Sequence, residues 1–182
     1  LIDPLELTTP MAAFNGGMLV ATDLSVIERH HLPDGCLAPI CEILVGHGLD
    51  VWVYTATEWF VRNESGPHVD QEMRAVQFFP TVRDTLEGIT DVAKLVAVQD
   101  DHEVVADAEA EVRRRFGESV TAARSHPYYL DITHPEANKG KVVEFAESTL
   151  GVPRDRIAVV GDGRNDLAMF DKAGFSIAMG NA

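Results

Sequence analysis

The chain has 182 residues, 46% of them hydrophobic and 24% charged, with a formal net charge of −14. That length suffices for one domain with a substantial core or for two smaller ones, and the composition is that of a folded globular protein rather than a disordered or fibrous one. The acidic excess repels nucleic-acid backbones and anionic lipid surfaces, and no apolar run approaches the roughly 18 residues that span a bilayer, so no nucleic-acid and no membrane partner is expected.

In chain order, "MLVATD" and "VIERHHL" flank a turn-rich "TDLS" and predict a hairpin. From Pro39, the spacing of Ile40, Ile43, Leu44 and His47 predicts a helix that stops at Gly46 or Gly48. Cys36 and Cys41, five apart in this region, match neither a redox pair nor a zinc knuckle and read as small buried hydrophobes. "LDVWVYTAT" and "EWFVRN" are β-branched and aromatic, hence strands; "GPHVDQEMRAVQFF" follows a Pro start into a helix; "TDVAKLVAVQ" is a further strand. Val105, Ala108, Val112 and Phe116 fall on one helical face, with acidic residues leading, arginines trailing and Gly117 at the end. "SVTAARS" and "YYLDITH" predict two more strands. Helix "KGKVVEFAESTLGV", strand "IAVVGD", helix "NDLAMFDKAG" and strand "FSIAMG" complete the chain.

Two textures result. From about Ala137 onward, helices alternate with wholly apolar strands, the pattern of a parallel sheet covered on both faces. Between about Met18 and His134, strands come in pairs and read as half-exposed, which suits an antiparallel sheet with helices on one side. The expected class is α/β: a doubly wound, Rossmann-like parallel core, residues 1–17 and 135–182, carrying an inserted α+β domain, residues 18–134. The sequence begins without Met, stops directly after an apolar run and has no Lys/Arg-led leader. Truncation at both ends and a cytoplasmic location are the corresponding expectations.

The chemistry concentrates in "IAVVGDGRNDLAMFDKAG", residues 157–174. In open α/β sheets, ligands bind beyond the carboxyl ends of the strands, so the loop leaving "IAVV" directs Asp162 into that crevice. Gly161 and Gly163 allow a tight turn and close approach, and Asn165 and Asp166 open the next helix, whose amides favour anions. Two hard carboxylates in one loop suit Mg²⁺, which keeps several waters and takes one or two protein carboxylates plus a substrate phosphate. The same residues also suit a plain turn followed by an N-cap. Upstream, Lys139 and Gly140 sit in the first turn of the preceding helix, where a cation opposes the helix dipole unless an anion lies beside it. A bound phosphate would resolve that conflict; a solvated lysine is the alternative.

Taken together, "GDGRNDLAMFDKAGFSIAMGNA" and the upstream "NKG" resemble the third and fourth motifs of the haloacid dehalogenase-like phosphatases, in particular the Cof-type branch with an inserted α/β cap. "PMAAFNGGMLV" is similar to the Asn-Gly segment through which that branch passes from core to cap. The resemblance implies a Mg²⁺-dependent phosphomonoesterase acting on a small phosphorylated metabolite, a sugar phosphate or similar, through a phosphoaspartyl intermediate. It implies Asp162 and Asp166 at the metal and Lys139 and Asp162 as catalytic groups. Asn15, Gly16, Lys139, Asn165 and Asn181 would contact phosphate or substrate, and Trp59, Arg62 and His68 are candidates for substrate selection from the cap. The family's Asp-x-Asp nucleophile motif and its second motif do not occur in these 182 residues, and both are expected upstream of Leu1. A non-catalytic phosphate-binding member and a phosphomutase of the same superfamily are the alternatives. The expected assembly is a monomer or weak homodimer.

Overall fold

The structure, a computed structural model, describes residues 6–181; the first five residues of the expected core segment, and Ala182, lie outside the described residues. The chain forms two compact units. One combines the residues up to His30 with those from Glu136 onward, and the other is the continuous insert His31–Pro135.

In the first unit, β1 (Met11–Ala13), β2 (Met18–Val20) and β3 (Val26–Arg29) form an antiparallel sheet in that order. The expected hairpin is β2–β3. Because its first strand also pairs with β1, the chain passes into the insert after His30, whereas the sequence reading put that passage after Gly17. The remainder of the unit is α4 (Lys139–Ser148), β10 (Ala158–Gly161), the short α5 (Leu167–Phe170) and β11 (Phe175–Ala178). Strands β10 and β11 pair in parallel, Val160 opposite Ile177. These strands were expected to be covered on both faces. Among the described residues this parallel sheet has two strands, and Val160, Phe175 and Ile177 are exposed on it.

The insert contains α1 (Leu37–Gly46), β4 (Asp50–Tyr54), β5 (Trp59–Val61), α2 (Val69–Val76), β6 (Thr81–Val82), β7 (Lys94–Val98), α3 (His102–Phe116), β8 (Thr121–His126) and β9 (Tyr129–Thr133). Its strands make one six-stranded sheet, order β6-β5-β4-β7-β9-β8, antiparallel except for the β5–β6 pair. Alternate residues such as Val51, Val53, Leu95, Leu130 and Ile132 join a core with Ile40 and Leu44 of α1 and Val105, Ala108 and Val112 of α3. Helix α3 starts where it does because the Asp101 carboxylate accepts from the amides of Glu103 and Val104, and its three arginines lie in the last turn, where the dipole favours them.

The half-exposed expectation for this sheet is corrected: every residue of β5 and β9 is buried. The opposite face carries a second, aromatic layer in place of solvent. Trp52 and Trp59 meet edge-to-face at 5.4 Å, Tyr54 and Trp59 stack at 5.7 Å, and the Tyr54 hydroxyl donates to Glu72 Oε1 of α2 at 2.7 Å. Such pairs add to the area they bury.

Candidate functional site

The first unit brings Lys139, Asp166, Asp162, Asn165, Asn181, Asn15 and Gly16 into one cluster. Helix α4 begins at Lys139 because the Asn138 side chain caps it, accepting from the Lys141 amide at 3.2 Å. Lys139 thus occupies the first helical position, where its charge opposes the dipole. The protein itself supplies the anion: Lys139 Nζ lies 2.5 Å from Asp166 Oδ1.

Asp166 is 2% exposed. Its other oxygen, Oδ2, accepts from the amides of Asp162 at 2.9 Å and Gly163 at 3.0 Å, so one carboxylate ties the lysine to the loop after β10. Burial pushes its pKa upward, but the Lys139 hydrogen bond and the two amides outweigh burial and hold the carboxyl below the ordinary range. Gly161 makes this packing possible. A Cβ there would lie 2.6 Å from Asp166 Cβ, Cγ and Oδ2. Similarly, a Cβ on Gly140 would lie 2.6 Å from the Ala168 carbonyl, which sets how closely α4 approaches α5.

Asp162 is exposed, and Asn181 Nδ2 donates to its Oδ2 at 3.2 Å. Asn165 Nδ2 donates to Asn15 Oδ1 at 3.4 Å, which brings the Asn-Gly segment to the acidic loop across 150 positions of sequence. Phe14, Asn15 and Gly16 are consecutive residues in left-handed backbone, with φ of 52°, 58° and 93°. Asn and Gly adopt that region far more readily than other residues, and at Gly16 a Cβ would also meet the Asn138 carbonyl at 2.7 Å. Sequence reasoning missed the Asn138 cap, although an Asn directly before an apolar-periodic run signals one. It also missed the direct Lys139–Asp166 pair, for which spacing alone holds no signal.

A cavity of about 340 Å³ opens beside the cluster, lined by Asn15, Gly16 and Lys139 together with Val142, Val159 and Met169. Among the described residues, no three His, Cys, Asp or Glu side chains stand close enough to hold a metal by themselves. A closed structural zinc site is therefore not built here. One open carboxylate, Asp162, beside a second that is fully engaged suits Mg²⁺, which brings its own waters and shares a substrate phosphate.

Comparison with known proteins gives the family. A family model described as haloacid dehalogenase-like hydrolase matches residues 1–182. The chain belongs to the haloacid dehalogenase-like hydrolases. A Haemophilus influenzae protein named "Putative phosphatase" is 26% identical over 179 residues, covering 98% of this chain and 67% of that protein. A Bacillus subtilis relative named 5-amino-6-(5-phospho-D-ribitylamino)uracil phosphatase YwtE is 22% identical over 207 residues, covering 100% of the chain and 71% of that protein. The crystal structure of a haloacid dehalogenase-like hydrolase from Bacteroides thetaiotaomicron superposes over 100% of this chain and 71% of its own, with a TM-score of 0.81 at 25% identity. The chain thus spans 67% to 71% of the length of these proteins. In this hydrolase family the architecture is a Rossmann-like α/β core with a cap, and the chain shares that α/β fold. Among the described residues, no helix is long and apolar enough to cross a membrane.

Proposed function

We propose that the protein hydrolyses the phosphomonoester of a small phosphorylated metabolite, with Mg²⁺ as cofactor and through a phosphoaspartyl intermediate whose aspartate lies outside these 182 residues. The observation that carries this reading is the meeting of Lys139 and the Asp162 loop on one buried carboxylate, Asp166. Asp162 would hold the metal. Asp166, engaged on both oxygens, would serve the metal through the loop it shapes. When bound, Mg²⁺ neutralises charge on the transferring phosphoryl group.

The protein's own groups do the rest. An ammonium has three donors, and Asp166 takes one from Lys139, which leaves two for phosphate oxygens. The ion pair fixes the lysine before substrate arrives, so little reorganisation accompanies charge development. The amides of Asn165 and Asn15 and the backbone at Gly16 offer neutral contacts beside it, and Asn181 orients the Asp162 carboxylate. The phosphorylated ribityl chain in the name of the YwtE relative supports a sugar or polyol phosphate.

The test is a phosphate-release assay of the full-length protein against a panel of sugar and polyol phosphates, with and without Mg²⁺. Mg²⁺-dependent release that falls at least 100-fold (~2.7 kcal/mol) in Asp162→Asn supports the proposal. Phosphate binding without turnover by a full-length protein that contains Asp-x-Asp would overturn it, as would turnover indifferent to Asp162.

A further inference from the structure

Helix α2 of the insert begins at an unusual residue. Its N-cap, His68, has left-handed backbone (φ 60°, ψ 1°), and its side chain bonds no helix amide. That conformation is unfavourable for a residue with a Cβ and persists only where its surroundings hold it.

The imidazole shows what holds it. Nε2 lies 2.7 Å from Asp100 Oδ1, in the loop between β7 and α3, and Nδ1 lies 3.2 Å from Gln71 Oε1. The ring stacks on Tyr128 at 4.4 Å with 4° between the planes, and it meets Tyr129 edge-on at 5.6 Å. One residue therefore joins the start of α2 to two other elements, the loop after β7 and the β8–β9 turn. Both ring nitrogens face oxygen acceptors, and only the imidazolium donates at both. The phenol face of Tyr128 also suits a cation.

We propose that His68 is a protonation-dependent clasp: charged, it docks the N-terminal end of α2 onto Asp100 and Tyr128, and on losing its proton it releases that end of the helix. In the neutral ring one nitrogen becomes an acceptor, so the Gln71 contact fails unless the amide rotates. The consequence reaches further than the turn itself, because α2 carries Glu72, which receives the Tyr54 hydroxyl from the aromatic layer.

The groups facing His68 set the direction. Asp100 from the β7–α3 loop favours the proton, and Gln71 on α2, whose sequence neighbours are Asp70 and Glu72, adds an acceptor. On the β8–β9 side stand Tyr128 and Tyr129, with His126 stacked on Tyr128 at 5.4 Å. A second imidazolium at His126 would oppose the first. Burial lowers the pKa of His68, the hydrogen bonds to Asp100 and Gln71 raise it, and the balance lies above the ordinary histidine value. A raised folded-state pKa means that the clasp is fully engaged below about pH 6.5 and is lost as pH rises through the folded-state value. With Asp100 76% exposed, salt weakens the contact.

The clasp lies wholly within the insert, so its test is independent of the phosphate reading. His68 ring protons are titrated by NMR, and hydrogen exchange of α2 amides is compared with that of α3 from about pH 5.5 to 8.5, the range in which histidine charge changes. His68 titrates above free histidine, Asp100→Asn lowers that value, and α2 loses protection relative to α3 as pH passes it. The factor by which docking tightens the proton is the factor by which protection falls across the titration. In His68→Gln the α2-to-α3 ratio no longer varies with pH. A His68 that titrates at or below the ordinary value, or a wild-type ratio that stays flat across the range, overturns the proposal, and these two wild-type measurements decide it even where a variant fails to fold.

Discussion

Lys139 and Asp166, 27 residues apart, form an ion pair at 2.5 Å in which the carboxylate also receives two backbone amides of the loop after β10. The lysine at a helix N-terminus and the acid at the head of the next helix are parts of one device, and neither is placed correctly without the other.

Removing the carboxylate separates the two. Asp166→Asn leaves the ammonium without its counter-charge and leaves the two loop amides, those of Asp162 and Gly163, without an anionic acceptor. With Lys139 one-third exposed, solvent screens part of the loss, so a cost of about 1–3 kcal/mol is expected. For a chain of this size that corresponds to a fall in Tm of roughly 3–10 °C, measurable by thermal unfolding. Phosphate release by the full-length protein should fall far more than stability, and equal losses would mean that the pair is only structural.

The same carboxylate sets an acid limit. Its folded-state pKa is depressed, so its contribution is fully present above the unfolded value near 4 and is lost as pH falls below that through the folded value. Denaturant midpoints measured between about pH 6 and 3 should drop less steeply at the acid end in Asp166→Asn than in the wild type.

Gly161→Ala tests the space beneath the loop. The added methyl meets the Asp166 side chain at 2.6 Å and must displace it, at a cost of about 1–3 kcal/mol. A crystal structure or the Lys139 ammonium resonance of the variant would show the ion pair lengthened or broken.

At Asn15 the backbone and the side chain can be separated. Asn15→Gly keeps the left-handed backbone and loses the amide contact with Asn165, whereas Asn15→Ala loses both. Chemical denaturation should find the alanine variant less stable than the glycine variant by about 1 kcal/mol, while the two share any loss in substrate affinity.

The cysteines provide a control on the insert. Burial pushes the Cys41 thiol up to about 11 and raises that of Cys36, so few thiolates form near neutrality. Ellman's reagent at pH 8 should react slowly with the folded protein and rapidly once it is unfolded. Fast reaction in the native state would mean that α1 opens readily.

Much of the fold was legible because its signals are local. The leading acidic residues, the Val105–Val112 stripe and Gly117 mark α3 within one window, and the β-branched runs mark β4 and β7. Strand β6, two exposed residues at the sheet edge, has no comparable run and was not read. Whether a strand is covered depends on what packs over it, which explains why the aromatic layer over Trp52 and Tyr54 ran against expectation. At the site, Asp162, Asn165, Asp166 and Lys139 stood out by residue type and position. The Lys139–Asp166 bond and the Asn15–Asn165 contact depend on tertiary geometry, and no spacing rule carries them.

The β10–β11 face has a colloidal consequence for the 182-residue chain taken by itself. Val160, Phe175 and Ile177 present an oily ribbon on a chain whose net charge is −14, and mutual repulsion between copies keeps such ribbons apart while ionic strength is low. Added salt shortens the reach of that repulsion to a few ångströms without weakening the attraction between apolar surfaces. Light scattering of that chain should therefore record self-association that grows with sodium chloride, and a longer protein whose further residues cover these strands should show none.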